Sequence, residues 1–180
     1  SGSFAVAATW CNPASLVTLG LARMLVAPIR LVSGSLAQGS LPHLIRLNKD
    51  LAKENQNPRF YSRFTAGYLL TVAFASLISF LASKHIWTFL TKGTSNFSGT
   101  LIGLYMVSVF LDALCLMRFQ IPMSQNRSLK LGILYLSSTI ISLVLQPMLV
   151  GAFALNAVPM AILISNLLFL SISLAFRRRL

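Results

Sequence analysis

The stretch "LGILYLSSTIISLVLQPMLVGAFALNAVPMAILISNLLFLSISLAF", residues 131–176, contains no Asp, Glu, Lys, Arg or His. At about 1.5 Å per helical residue it is roughly twice as long as the ~30 Å hydrocarbon thickness of a bilayer, so a single helix does not account for it. Turn chemistry lies near its centre in "QPMLVGAFALNAVP", which holds Pro147, Gly151, Asn156 and Pro159. The stretch therefore reads as two membrane-crossing helices, over residues 131–149 and 158–176.

Residues 64–83, further upstream, carry no charge, and residues 97–117 carry only Asp112, so each is a span of its own. The first span is interrupted by Arg23, Arg30 and Pro28. Its start is marked by "CNPAS", with Asn12 as cap and Pro13 at the first helical position. Pro28 is expected to kink it. It runs over residues 13–41 and leaves the membrane through "GSLPHLIRLNKD", where Pro42 bends or loosens the helix end and Arg46 and Lys49 reach phosphate headgroups. The expected fold is thus all-α: a polytopic bundle of about five transmembrane helices forming one transmembrane domain over residues 1–180. Composition agrees, because 56% apolar and 10% charged residues are far from the roughly 25% charged of a soluble domain.

Loop charge orients the bundle. Lys and Arg number five over residues 46–63, two over 84–96, three over 118–130, none in the next turn and three in the tail "FRRRL". Positive charge in short loops marks the cytoplasmic side, so the chain is expected to start outside and end inside. The +12 net charge is accounted for largely by these loops, and with no basic-aromatic binding module a nucleic-acid partner is excluded. The lipid bilayer is the expected partner. An outside start, with neither an initiator Met nor a positively charged signal region, leads us to expect an upstream part of the same chain.

No paired carboxylates, no nucleophile beside a base and no metal-ligand spacing occur, so catalysis, a metal and a cofactor are not expected. Cys11 and Cys115 match no redox or metal spacing and read as packing residues. His43 and His85 sit at span edges, facing water or headgroups. Tyr68, Tyr105 and Tyr135 read as lipid-facing or packing residues, and Gly67 and Gly103 as points of close helix contact.

Three ionisable groups remain inside the spans. Arg23 and Arg30 are seven residues apart, which places them on one helix face with Ala27, Gly34 and Gln38. An Arg at mid-helix is unfavourable by about 2.5 to 3.5 kcal/mol on insertion scales, so a lipid-facing position for both is not expected. Counted from the outer surface, Arg23 lies about 15 Å deep, Arg30 about 25 Å and Asp112 about 22 Å. Arg30 and Asp112 can then pair, whereas Arg23 has no acid at its depth. Asp112 is read as a structural or ion-coupling carboxylate.

In order, "GSFAVAA", a long helix, "GSLPHLIRLNKDL", a basic stretch, a span, "HIWTFLTKGTSNF", another span, a basic loop and "LVGAFALNAVPMAILISNLLFL" together resemble the C-terminal half of a polysaccharide flippase. Such flippases belong to the multidrug/oligosaccharidyl-lipid/polysaccharide exporter superfamily and are similar in fold to multidrug and toxin extrusion proteins. Pro42, Leu44 and Arg46 stand where that family has a proline-leucine pair followed by a basic residue. Gly151, Asn156 and Ala157 fit its glycine-rich turn into the last helix, while Val158 and Pro159 depart from the second small residue of the pattern. The resemblance implies two lobes around a central cavity in the bacterial cytoplasmic membrane. It also implies a missing N-terminal half and the export of a polyprenyl-pyrophosphate-linked oligosaccharide for polysaccharide, including lipopolysaccharide, biosynthesis. Arg23 and Arg30 would then be substrate-binding. The other readings are a cation-exporting multidrug relative, another permease part, or a non-transporting membrane assembly protein.

Overall fold

The computed structural model describes residue 7 and residues 9–51, 58–93, 96–124 and 129–176. Five long helices follow one another: α1 (Pro13–Leu51), α2 (Pro58–Thr91), α3 (Gly99–Ser124), α4 (Leu129–Phe153) and, after a single 3-10 turn (Ala154–Asn156), α5 (Ala157–Phe176). Among the described residues there is no strand. The protein is an all-α membrane bundle. Four stretches are long and apolar enough to cross a bilayer: Pro13–Ile45, Ser62–Thr91, Gly99–Gln120 and Leu129–Leu174. The last of these is the 46-residue piece that folds back on itself, with α4 and α5 packed side by side.

Local chemistry explains the helix ends. Asn12 Oδ1 accepts the backbone N–H of Ser15 at 2.8 Å, capping a helix that opens on Pro13. α2 ends where Lys92 and Gly93 take positive φ (50° and 77°) and the Gly93 N–H donates back to the Thr88 carbonyl at 3.1 Å. The α4–α5 turn falls at 154–156, inside the expected gap between residues 149 and 158. Pro147 and Gly151 remain inside α4, Pro159 lies in the first turn of α5, and the reversal occurs at Ala154, which takes φ 46°. A proline removes one helical hydrogen bond, and in a membrane bundle neighbouring helices support such a gap. For the same reason α1 continues as one helix through Pro28 and Pro42 to Leu51.

α3 lies at the centre, packing against α1, α2 and α5, while α4 packs chiefly on α5. Its buried residues Leu101, Ile102, Tyr105, Met106, Ser108 and Val109 leave little of its circumference open. α1 contributes Leu19, Ala22, Val26, Ile29, Ser33 and Ala37, a stripe at helical spacing. α2 turns outward a row of Leu70, Phe74, Leu77 and Leu81, each more than half exposed, and α4 does so with Ile133, Leu136, Ile140, Val144 and Met148. Apolar faces of that extent suit acyl chains.

The described loop cations Arg63, Lys84, Lys92 and Lys130 are exposed, as are His43 and His85, while Arg118 is half-buried. The side chains of Arg46, Lys49 and Arg59, and the residues Lys53, Arg127 and Arg177 to Arg179, lie outside the described residues, as does most of "GSFAVAA". Gly67 lies in open space and makes no close helix contact, whereas a side chain at Gly103 would meet the Phe80 ring at 3.9 Å.

Candidate functional site

Arg23 and Arg30 sit beside the packed stripe of α1, one position away from Ala22 and Ile29, and this edge position leaves both half-buried. On the same face Ala27 and Gln38 are exposed and Gly34 borders open space, so the arginines flank an open, small-residue strip. Arg30 Nε is buried with no hydrogen-bond partner. Among the described residues no ion pair joins either arginine to an acid within the membrane segments.

α3, which packs on α1, carries its own pair seven residues apart, Tyr105 and Asp112, which 3.6 residues per turn places nearly in line. Tyr105 is buried. Asp112 does not form the expected pair with Arg30. Its Oδ1 instead accepts a hydrogen bond from the Tyr135 hydroxyl of α4 at 3.1 Å. The reason is geometric: α4 brings a neutral donor to the carboxylate, and Tyr135 is held in place by Phe169, whose ring meets it edge-on at 5.5 Å, and by Phe119 at 6.4 Å.

Tyr68 closes the other side. It is buried and donates from its hydroxyl to the Ser33 carbonyl at 3.2 Å, while Ser33 Oγ donates to the Arg30 carbonyl at 3.0 Å. This ties α2 to α1 one turn beyond Arg30. Tyr68 and Tyr105 are therefore packed in the bundle interior, whereas Tyr135 is exposed on α4 with its hydroxyl on Asp112. Each looks like any aromatic in an apolar sequence, and only the contact with another helix distinguishes it.

A second polar seam joins α3 to α5. Ser108 Oγ donates to the Pro159 carbonyl at 2.9 Å, Asn166 Nδ2 donates to the Ser108 carbonyl at 3.2 Å, and Cys115 Sγ lies 3.7 Å from the Asn166 carbonyl. Cys115 is thus a buried packing thiol, and Cys11 is free. On α4, Ser138, Ser142 and Gln146 recur every four residues and are buried, a spacing that is visible in the sequence. Both polar atoms of Gln146 lack partners. Among the described residues no group of three metal-ligating side chains occurs.

No protein-family profile matches the chain, and neither a curated protein nor a solved structure matches it. Two guanidinium groups on an open strip offer forked donors to an anion, and one of them has a buried donor with no partner. The single carboxylate in the membrane segments is already hydrogen-bonded to a phenol.

Proposed function

We propose that this chain is part of a membrane flippase that moves a lipid-linked anionic oligosaccharide across the bacterial cytoplasmic membrane for polysaccharide biosynthesis. The observation that carries the reading is Arg30: half-buried at membrane depth, with its Nε unpartnered and, among the described residues, no acid paired to it. A cation in hydrocarbon is unfavourable, so Arg23 and Arg30 require water or an anion on the strip they flank. A pyrophosphate supplies the anion, and a planar guanidinium binds it in bidentate fashion. In this proposal a second lobe of similar span count closes the cavity opposite α1. The net excess of intramembrane cation disfavours a cation exporter, whose substrate these arginines repel.

The test is complementation of surface polysaccharide in a flippase-deficient bacterium expressing the full-length protein, with membrane abundance measured for each variant. Arg23→Ala and Arg30→Ala are expected to abolish export at normal abundance, and Arg23→Lys to retain part of it. Normal export by both alanine variants at normal abundance would overturn the proposal.

A further inference from the structure

α4 packs chiefly on α5, and Gln146, only 1% exposed, continues the buried row of Ser138 and Ser142. Among the described residues neither its Oε1 nor its Nε2 has a hydrogen-bond partner. An amide sealed from solvent in that condition is unfavourable, so both atoms call for a ligand.

A second gap lies beside it. Pro147 follows directly, inside the same helix, and a proline has no N–H. The Leu143 carbonyl, four residues earlier, therefore lacks the donor that a regular helix would give it. Leu143 stands three residues before Gln146, on the turn over which a helical side chain at 146 lies. The same spacing brings Ser33 Oγ to the Arg30 carbonyl at 3.0 Å and Ser138 Oγ to the Tyr135 carbonyl at 2.8 Å. Gln146 is longer than serine and makes no such direct bond.

The missing partners define what can bind. A cation would satisfy Oε1 and oppose the Nε2 N–H, and an anion would do the reverse. A neutral molecule that both donates and accepts satisfies the two atoms together, and the smallest of these is water. We infer that α4 binds a buried water at its Gln146–Pro147 step. The water accepts from Gln146 Nε2, donates one O–H to Gln146 Oε1 and donates the other to the Leu143 carbonyl. Three hydrogen bonds are what a buried water typically makes, and ordered water is one means by which membrane helices satisfy backbone freed by proline. This site is separate from the arginine strip and does not depend on the flippase reading.

The full-length protein, isotope-labelled in nanodiscs of deuterated lipid, is tested by rotating-frame cross-relaxation between water and the Gln146 side-chain N–H, assigned by through-bond correlation. The sign of the cross-peak separates dipolar contact from proton exchange. Wild-type protein is expected to show a dipolar cross-peak to water. Pro147→Ala supplies an N–H that bonds the Leu143 carbonyl and takes away one of the water's three partners, so the cross-peak is expected to fall or vanish while the Gln146 resonance persists. Pro147→Leu restores the same N–H and replaces Pro147→Ala if that variant does not fold. A wild type without the cross-peak overturns the inference whatever the variants do. A cross-peak of unchanged intensity in a folded proline variant also overturns it, because the water is then held without the Leu143 carbonyl.

Discussion

Replacing Phe169 by Ala tests whether α4 and α5 pack as a hairpin. Phe169 is fully buried, and its ring stands edge-on to Tyr135 at 5.5 Å. In a water-soluble core such a truncation destabilises by about 3 to 5 kcal/mol, part of which is transfer from water. In a bilayer that part largely vanishes, because the separated helix leaves its Phe in lipid. What remains is the void: removing the phenyl group opens roughly 100 Å³, which at about 24 cal/mol per Å³ gives about 2.4 kcal/mol. Loss of the aromatic pair adds about 0.5 kcal/mol or more, for a total near 3 kcal/mol. Reversible unfolding in bicelles measures this, and Phe169→Leu, which keeps most of the volume, is expected to lose less than about 1.5 kcal/mol. A loss below about 1 kcal/mol for Phe169→Ala would mean that α5 does not bury this ring against α4, and the hairpin packing would be wrong.

Further outcomes follow from the polar seams and the loops. Asn166→Leu removes the bond to the Ser108 carbonyl and is expected to destabilise by about 0.6 kcal/mol, with about 1.7 as the upper end for an interhelical hydrogen bond in a bilayer, read by the same unfolding measurement. Gln146→Leu is expected to leave stability unchanged or raise it, since both atoms of the buried amide lack partners and an apolar side chain of similar volume loses nothing there. Accessibility labelling of single cysteines introduced in a Cys-free background is expected to reach positions 55 and 126 only from the cytoplasm and position 94 only from outside; labelling of 55 and 94 from one side would contradict the alternation of loop charge.

Much of the fold was legible because membrane helices announce themselves by length and charge. The uncharged run that becomes α4 and α5 is too long for one crossing, and the Asn12 cap with Pro13 marks the start of α1. The exact reversal was not legible. Pro147 and Gly151 looked like turn residues, yet the chain turns at Ala154, because packing of α4 on α5 outweighs their local preference. The site was half legible. An arginine inside an apolar helix stands out, so Arg23 and Arg30 could be singled out by type alone. Their surroundings could not: Asp112 was matched to Arg30 by depth along the axis, but the choice between Arg30 and Tyr135 depends on how α4 is rotated, which no spacing within α3 reveals. The Ser108–Asn166 bond joins residues 58 apart and carries no local signature.

Engagement of a transported lipid's anionic headgroup by the intramembrane arginines of α1 is what the proposed function requires. It is tested most directly in proteoliposomes containing the full-length protein and a fluorescent polyprenyl-pyrophosphate-linked oligosaccharide, by following the fraction of label that becomes accessible to a membrane-impermeant quencher. Wild-type protein is expected to accelerate translocation, while an equal amount of folded Arg23→Ala/Arg30→Ala protein is expected not to exceed protein-free liposomes. Translocation by the double variant at the wild-type rate would contradict it.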